Sequence, residues 1–346
     1  MTPKGSLSRN QSLAQPILSF AETSDGWKLP LYHYQPASPR RYPVILVHGL
    51  ATNRYDIDFP DPRLSLARYL FKKGFDVWVI ELRGAGKSYQ RNLLRRYLNF
   101  RYRWTFDDHV FKDLPVLVSH IQKATGAKKL HWVGHSLGGT LIYAAIETLG
   151  NGVCASGVTI GAAMSAEARS GIIKFLLRLD LLYKSIPALP VKTVAKALLP
   201  FSRQVIPLED NYYFSADNMD PQTLRTAMKM ALENVSTTLF LQMHDWYRKD
   251  HFTSLDGFSF RDHLKDIKAP FLVCAGSVDG LTPSPDVHTA FRRISSKDKK
   301  FIEFGKEQGS RTEYGHVDLI LGKNAPREVY PVIADWLIRH DKKKSG

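Results

Sequence analysis

The chain has 346 residues, of which 44% are hydrophobic, and it carries 48 lysines and arginines against 33 aspartates and glutamates, a formal net charge of +15. This length and apolar content suffice for a large buried core, so a wholly disordered chain is excluded and one large or two modest domains are expected. The basic balance favours anionic partners such as membrane headgroups, nucleic acid or acidic substrates, but it does not specify a fold.

The chain begins with a polar segment, residues 1–16, which we expect to be a flexible N-terminal arm. This segment lacks the apolar run of about 7–15 residues that a secretion signal needs. No window of the chain reaches the roughly 20 apolar residues of a membrane-spanning helix. These patterns predict a cytoplasmic protein whose contact with a membrane, if any, is peripheral.

Apolar runs that alternate with helical patterns dominate the chain. The run Val44–Val47 is continuous, which is typical of a strand covered on both faces in a parallel sheet. In chain order the patterns predict strands at Ile17–Ala21, Trp27–Tyr34, Val44–Val47, Phe75–Ile80, Leu130–Gly134, Ala155–Ile160, Pro270–Ala275 and Lys300–Phe304, and helices at Pro62–Lys73, Asp107–Ala124, Leu137–Leu149, Pro285–Ile294 and Ala325–Arg339. This alternation predicts βαβ units and an α/β fold with a mostly parallel central sheet flanked by helices.

The alternation stops within residues 164–268, where helical patterns and prolines occur without a convincing strand. One α/β core formed by residues 17–163 and 269–346, with a helical insertion between its halves, explains this break better than two domains in tandem. Inside the insertion, Ile172–Leu182 is strongly apolar. Such a stretch is typical of a helix buried against the core, or of a wall around an apolar ligand.

The pentapeptide Gly134–Gly138, with the sequence Gly-His-Ser-Leu-Gly, matches the pattern G-x-S-x-G. It stands between the predicted strand Leu130–Gly134 and the predicted helix Leu137–Leu149, where a nucleophile elbow holds a serine on a strained turn. The N-terminus of the helix also favours negative charge that develops nearby. We therefore predict Ser136 as a catalytic nucleophile; the alternative is a glycine-rich turn with a capping serine.

A serine hydroxyl is a weak nucleophile and needs a base that a third group holds in place. In hydrolases with this elbow, the order along the chain is serine, acid, histidine. Three histidines follow the strand Pro270–Ala275, of which His288 lies in a predicted helix and His340 in a charged tail. His316 lies in a loop after the strand Lys300–Phe304, and we predict it as the base; the alternative is a surface imidazole.

The acid is expected at the carboxyl end of a strand between the serine and the histidine. Asp279 comes directly after the strand Pro270–Ala275, among turn residues that can aim it into a cleft. We therefore predict Asp279 as the acid that orients the base. Asp286 and Asp318 are the fallback carboxylates, and each is otherwise a solvated loop charge.

An oxyanion that forms during acyl transfer needs two N–H donors close to the nucleophile. One candidate is the backbone N–H of Leu137, the residue after the serine. The other comes from the loop after the strand Val44–Val47, where Gly49 lets the backbone approach a substrate carbonyl closely. We nominate the N–H of Leu50 in this loop, with the side chain of His48 as a brace.

Together these features resemble the α/β-hydrolase superfamily. The pieces that carry the resemblance are Val47-His48-Gly49, Glu81–Ser88, the elbow around Ser136, Gly276–Asp279 and Gly315-His316. The resemblance extends from about residue 17 to residue 340. It implies the α/β-hydrolase fold, with the insertion at residues 164–268 as a helical cap or lid.

The resemblance also implies a serine hydrolase without a cofactor that cleaves carboxylic esters, through a covalent acyl-enzyme on Ser136. The apolar stretch in the insertion favours apolar or lipid-like acyl groups. The stretch Tyr314–Gly322 is similar to lipase-like members and to polyhydroxyalkanoate synthases. Synthases use a cysteine at the elbow, and epoxide hydrolases and dehalogenases an aspartate, so Ser136 disfavours these chemistries. An acyltransferase or thioesterase with the same triad stays an alternative, as does a non-catalytic lipid- or partner-binding protein of this fold.

Other patterns do not support a nucleotide or a metal. The stretch Gly84–Ser88 ends like a phosphate-binding loop, but the first glycine of that motif is replaced by Glu81. Histidines near the elbow have no acidic or cysteine ligand at metal spacing. The two cysteines, Cys154 and Cys274, are too few for a disulfide framework, and we expect both to be core residues. We therefore expect neither a cofactor nor a metal.

The segment Arg83–Phe106 is basic and aromatic, and it holds no acidic residue. Its basic residues are Arg83, Lys87, Arg91, Arg95, Arg96, Arg101 and Arg103. One interpretation is a solvated face whose aromatic rings pack inward; the other is contact with an anionic membrane surface. Nucleic acid is disfavoured because no recognised binding motif is present. The expected partners are thus a small-molecule ester and, as a hypothesis, an anionic membrane; the oligomeric state stays open.

Overall fold

The structure is a computed structural model that describes residues 15–91, 103–165, 186, 188–201 and 213–341, and within them the chain forms a nine-stranded sheet. The strands of the chain are β1 (Ile17–Glu22), β2 (Trp27–Tyr34), β3 (Val44–Val47), β4 (Val77–Ile80), β5 (Tyr89–Gln90), β6 (Leu130–His135), β7 (Cys154–Ile160), β8 (Ala188–Leu189), β9 (Val235–Ser236), β10 (Phe271–Gly276) and β11 (Lys299–Phe304). The large sheet has the order β1-β2-β4-β3-β6-β7-β10-β11, with β5 paired to β2, while β8 and β9 pair separately.

The sheet is parallel from β4 to β11, through the neighbours β3, β6, β7 and β10. At the other edge β1 and β2 are antiparallel, and β2 also pairs antiparallel with β4. The mostly parallel sheet confirms the prediction from the alternating pattern. The predicted ranges of β2 and β3 match the observed strands residue for residue.

Helices cover both faces of the sheet. They are α1 (Leu66–Lys72), α2 (Leu114–Thr125), α3 (Leu137–Leu149), α4 (Val191–Leu198), α5 (Pro221–Met230), α6 (Thr237–Lys249), α7 (Phe260–His263), α8 (Ser284–Arg293), α9 (Asp318–Leu321) and α10 (Ala325–His340). Residues of α1 and α10 share one buried apolar cluster, and residues of α2, α3 and α8 share the other. Alternate residues of Val44–Val47 enter the two clusters, which explains why this strand is apolar without interruption.

Both cysteines lie in the core, as predicted. Cys154 belongs to the cluster under α2, α3 and α8, and Cys274 to the cluster under α1 and α10. Both thiols are free. Burial raises the pKa of each thiol, so both stay protonated and behave as small apolar side chains.

The sequence patterns did not predict the shortest strands or the exact start of the first helix. The helix predicted from Pro62 begins at Leu66, because Ser65 caps it by accepting a hydrogen bond from the Arg68 N–H. The expectation that residues 164–268 hold no strand is wrong, since β8 and β9 lie there and pair antiparallel. A two-residue strand carries no periodicity, so neither β8 nor β9 could be recognised from alternation.

The described residues between β7 and β10 are mainly helical and form α4 to α7. Helix α6 packs on the core through Trp246, whose ring centroid lies 4.7 Å from that of Phe106. The apolar stretch Ile172–Leu182 and the first fourteen residues of the predicted arm lie outside the described residues. None of the helices formed by the described residues is long and apolar enough to cross a membrane.

Arg83, predicted as part of the exposed basic segment, is instead buried at 3% exposure. Its guanidinium donates to Asp113 over 2.7 and 2.9 Å and to Asp25 over 2.8 Å. The interpretation of Arg83 as a solvated or membrane-facing charge is therefore wrong. A buried cation needs carboxylate partners, and these partners tie the loop after β4 to the start of α2.

We expect Asp113→Ala to lower the free energy of unfolding by about 3–5 kcal/mol, because it leaves the Arg83 cation buried without its main partner. Urea unfolding at neutral pH measures this loss. The control is Asp245→Ala, which breaks the exposed pair with Lys249 and is expected to cost less than about 1 kcal/mol. Equal losses in the two variants would contradict the structural role of the buried pair.

Candidate active site

The turn between β6 and α3 holds Ser136 in a strained conformation, with φ of 54° and ψ of −124°. A positive φ is costly for a residue with a side chain, by about 1–3 kcal/mol, and such strain often marks functional turns. The Ser136 N–H donates to the Ile160 carbonyl over 2.8 Å, which fixes the turn against β7. The local geometry is that of a nucleophile elbow.

The two glycines around the serine are required by close backbone contacts. A Cβ atom on Gly138 would lie 2.3 Å from the carbonyl oxygen of Val47, and one on Gly134 would lie 2.5 Å from the Gly138 backbone. These distances are well inside van der Waals contact. The strand β3, the strand β6 and the first turn of α3 therefore cross at a spacing that only glycine permits.

Two of the predicted residues meet at the carboxyl ends of the strands. His316 Nδ1 lies 2.8 Å from Asp279 Oδ2, and both side chains are buried. Asp279 accepts further hydrogen bonds from the N–H groups of Leu281 and Thr282 and from the Thr282 hydroxyl, over 2.7–2.9 Å. Because Asp279 accepts only, Nδ1 of His316 carries a proton, and in the neutral imidazole the free lone pair is then on Nε2.

The Nε2 atom of His316 is buried and has no hydrogen-bond partner within the described part of the chain. Its neighbourhood is the end of β7, where a Cβ atom on Gly161 would lie 3.2 Å from His316 Nδ1 and 3.4 Å from Asp279 Oδ2. Gly161 directly follows Ile160, the residue that accepts the Ser136 N–H. Ser136 and the pair of His316 and Asp279 therefore lie beside the same short segment, Ile160 and Gly161.

The loop after β3 presents the peptide between Gly49 and Leu50. The Gly49 carbonyl accepts hydrogen bonds from His48 Nδ1 and from the Thr52 hydroxyl, each over 2.9 Å. His48 Nε2 accepts the N–H of Leu82, so the proton is on Nδ1, and burial lowers the pKa of the ring and keeps it neutral. This agrees with the prediction that His48 braces the loop.

A trans peptide points its N–H opposite to its carbonyl. The Leu50 N–H therefore points away from His48 and Thr52, and it donates to no acceptor among the described residues. Leu137 is the first residue of α3, where N–H groups have no partner within the helix. A Cβ atom on Gly49 would lie 3.2 Å from the Cβ atom of Ser136. The loop that carries Leu50 therefore lies beside Ser136, and Leu137 directly follows the serine in the chain.

A small cavity of about 30 Å³ lies behind this loop, with room for about two water-sized groups. Leu50 and Leu137, which supply the candidate donors, line this cavity together with other apolar residues. Those other residues are Leu82, Trp104, Val235 and Leu239. Leu137, the residue that directly follows Ser136, is part of this lining.

The remaining sequence candidates lie elsewhere. His288 packs its ring against Phe301, with centroids 4.7 Å apart, and His340 pairs with Asp298. Asp286 lies in the first turn of α8. Neither His288 nor His340 has a described contact with His316.

Asp318, the second fallback carboxylate, holds the loop that contains His316 through hydrogen bonds to its backbone and to neighbouring residues. It accepts the Gly315 N–H and the Asn218 side-chain amide, each over 2.8 Å, and the Ser215 N–H over 3.3 Å. It makes no described hydrogen bond with the imidazole of His316. Its contacts are with backbone and amide groups, so it shapes the loop and does not orient the ring.

Sequence reasoning missed two features of this site. Thr282 braces Asp279, and its spacing of three residues after an aspartate in a turn was the available signal. Asp56 lies 2.9 Å from the ring of His135, although 79 residues separate them. No local pattern links residues so far apart in the chain.

A family model described as alpha/beta hydrolase fold matches residues 42–308. Lipase member K from Mus musculus is 26% identical, over 89% of this chain and 84% of its own length. Among solved structures, a thermophilic esterase from Thermogutta terrifontis superposes with a TM-score of 0.63 at 18% identity, covering 95% of this chain and 100% of its own. A monoacylglycerol lipase from Paleococcus ferrophilus gives 0.55 at 21% identity, covering 90% and 99%.

A parallel sheet between helical layers, with a serine elbow after its central strand, defines an α/β hydrolase. The chain belongs to the alpha/beta hydrolase fold family, because the family model matches more than half of it. The predicted fold class and the resemblance on which it rested are both confirmed.

Burial raises the pKa of Asp318 to about 7, although hydrogen bonds from Asn218, Ser215 and Gly315 oppose the shift. The folded chain then binds a proton that the unfolded chain releases near pH 4, so this group lowers stability as the pH rises from about 4 to 7. We expect Asp318→Asn, which cannot titrate, to remove this component. Urea unfolding at pH 5 and pH 8 measures it, and identical pH dependence in both proteins would contradict the assignment.

Proposed function

We propose that Ser136, His316 and Asp279 form the catalytic triad of a serine esterase that works through a covalent acyl-enzyme. At the coarser level the chain is a carboxylic ester hydrolase of the lipase and esterase type. The observation that carries the proposal is the buried hydrogen bond between His316 and Asp279 beside a strained serine elbow. Nucleophile, base and acid follow one another along the chain in the order that such hydrolases require.

In the proposed reaction, Ser136 Oγ attacks the ester carbonyl carbon while its proton passes to Nε2 of His316. The N–H groups of Leu50 and Leu137 stabilise the oxyanion that forms on the carbonyl oxygen. His316 returns the proton to the leaving alcohol as the C–O bond breaks, which leaves an acyl-enzyme. A water molecule, deprotonated by the same ring, then releases the carboxylic acid and restores the serine.

Asp279 serves in this scheme by orienting the ring of His316 and by stabilising its charge after it takes the proton. Thr282 keeps the carboxylate in place through its hydroxyl and its N–H. The brace of His48 on the Gly49 carbonyl has the matching role for the Leu50 donor. Each reacting group is thus held by a second group that does not touch the substrate.

The preference for apolar acyl groups rests on the lining of the cavity between Leu50 and Leu137. We propose that residues 164–268 form the cap of the enzyme, since their described helices lie between β7 and β10. The cytoplasmic location stays a prediction from the sequence.

We expect Ser136→Ala to lower the hydrolysis of a short-chain chromogenic ester by about three orders of magnitude or more, because it removes the attacking oxygen. Rates with purified protein measure this loss. A fluorophosphonate probe is expected to label the wild type and not the variant. Full activity or retained labelling in Ser136→Ala would overturn the proposal. Addition of an alcohol acceptor, with product analysis, separates a hydrolase from an acyltransferase.

A matched pair of carboxylate variants tests the rest of the triad in the same assay. Asp279→Asn is expected to lower kcat roughly a thousandfold to ten-thousandfold, because the amide no longer holds His316 in the required tautomer. Asp286→Asn changes a buried carboxylate in the first turn of α8 and is expected to change kcat by no more than a few-fold. If Asp286→Asn proves the more severe variant, the acid has been assigned wrongly.

Fewer of the seven basic residues than the sequence suggested are available for the membrane contact proposed from the basic segment. Arg83 is buried, whereas Lys87, Arg91 and Arg103 are exposed, and Arg91 pairs with Glu22 over 3.1 Å. The exposed rings of Phe20 and Tyr89, whose centroids are 6.0 Å apart, lie at the same edge of the sheet. Arg95, Arg96 and Arg101 lie outside the described residues. Exposed cations next to exposed aromatic rings favour an anionic lipid surface, at about 1 kcal/mol for each cation near the bilayer.

We expect weak co-sedimentation with anionic vesicles at low salt, because salt screens exposed charges. The double variant Lys87→Glu/Arg91→Glu is expected to bind less, while neutral vesicles bind neither protein. Sedimentation at low and at physiological salt measures the difference. Equal binding to anionic and neutral vesicles would contradict the membrane contact and support the interpretation of the segment as a solvated face.

A further inference from the structure

A buried carboxylate, Asp56, joins two parts of the proposed active site. Its Oδ2 accepts the Gly49 N–H over 2.9 Å, which anchors the loop that carries the Leu50 donor. The same oxygen lies 2.9 Å from Nδ1 of His135, the residue that directly precedes Ser136. Asp56 and His135 are both buried, so solvent does not compete for these contacts.

The other nitrogen of His135 reaches the loop of the proposed base. Nε2 lies 3.1 Å from the backbone carbonyl of His316, and the two imidazole rings lie 4.8 Å apart between centroids. Both partners of the ring, a carboxylate and a carbonyl, accept hydrogen bonds only. His135 can satisfy both partners only when both of its nitrogens carry protons, as an imidazolium beside the Asp56 carboxylate.

Electrostatics agrees with this protonation state. Burial disfavours the charge on His135, but Asp56 and the His316 carbonyl outweigh it and raise the pKa of the ring. Burial likewise opposes the charge on Asp56, and His135 with the Gly49 N–H outweighs it and lowers the pKa of the carboxyl. The groups that act on this pair from the elements around it are Asp279, His316, His48 and Tyr330.

The pair spans elements that the chain itself does not connect. Asp56 ends a short turn after β3, and His135 is the last residue of β6. The His316 carbonyl belongs to the loop before α9, 181 residues beyond His135. One ion pair therefore contacts the donor loop, the elbow and the base loop together.

We propose that Asp56 and protonated His135 are positioning residues that hold the oxyanion loop and His316 in register with Ser136. The inference rests on the proposed function and adds a pH requirement to it. A neutral His135 has one N–H, so it must release either Asp56 or the His316 carbonyl. As the pH rises through the pKa of His135, the base loop or the donor loop loses its tether and kcat falls.

The test compares His135→Gln and Asp56→Asn with the wild type, using steady-state hydrolysis of a short-chain ester between pH 6 and 10. A misplacement of reacting groups by about 1 Å costs up to about a hundredfold, so we expect kcat to fall about 10- to 100-fold with KM changed less than threefold. Asp76→Asn is the matched control, since it breaks another histidine–aspartate contact, with His33, at the opposite ends of the strands. It is expected to keep the wild-type kcat.

The shape of the pH profile separates positioning from a merely structural role. Wild-type kcat is expected to fall on the alkaline side, and His135→Gln, which cannot titrate, is expected to lack this limb. In Asp56→Asn the limb is expected at lower pH, because His135 loses its counter-charge. Thermal unfolding identifies the conditions in which each variant is folded. If only one variant folds, its pH profile still tests the inference, because the alkaline limb is expected to be missing in His135→Gln and shifted in Asp56→Asn.

Two outcomes would overturn the inference: wild-type kcat in both variants, or lowered kcat with an unchanged alkaline limb. Failure of the proposed function is recognised separately. If wild-type protein hydrolyses no ester, or if Ser136→Ala keeps the activity, the triad is wrong. If hydrolysis depends on Ser136 but the two variants behave like Asp76→Asn, only the positioning role is wrong.

Discussion

The close crossing of β3, β6 and α3 is the constraint on which the geometry of the site depends. Backbone atoms lie so near Gly134 and Gly138 that any side chain there would overlap them. The strand can pass into the helix only through one residue, Ser136, held at positive φ. Its strain, about 1–3 kcal/mol, persists because the buried sheet and α3 fix both ends of the turn. The loops around the serine are placed by this same sheet.

Desolvation decides how the loops at this edge of the sheet are held. Asp279, Asp56 and Asp318 are all buried, and each accepts a hydrogen bond from a backbone N–H group of the loop in which it lies. A buried carboxylate without such donors would cost several kcal/mol, so each one selects a loop conformation that satisfies it. The loops of the candidate site are therefore ordered by polar contacts, whereas apolar packing orders the layers below them.

The same constraint changes the meaning of the basic segment. A run of positive charges in a sequence is usually taken as a solvated face, because charges are costly to bury. Arg83 is buried nonetheless, since Asp113 and Asp25 come together around it. Among the described basic residues of the segment, Lys87, Arg91 and Arg103 stay exposed. The sequence shows how many charges the segment has, but their partners in the folded chain determine which of them are exposed to a membrane.

The sequence by itself determined the features that depend on local spacing. Apolar runs of four to six residues marked the buried strands, and a serine between two glycines after one of them marked the elbow. The order of Ser136, Asp279 and His316 along the chain was equally visible. These features could be predicted because a strand, a helix or a tight turn is specified by residues a few positions apart.

Only the tertiary structure decided which polar groups meet. The sequence places Asp279 directly after a strand, which favoured it as the acid, but only the structure shows that it contacts His316 and that Asp318 holds the loop before it. The pairing of Asp56 with His135 was equally invisible. The contacts of Asp279 with His316, and of His135 with Asp56 and the His316 carbonyl, join residues 37 to 181 positions apart, and they form only when parallel strands bring their carboxyl ends to one edge of the sheet. The fold is encoded by local periodicity, but the pairing of buried charges depends on distances that exist only after the chain has folded.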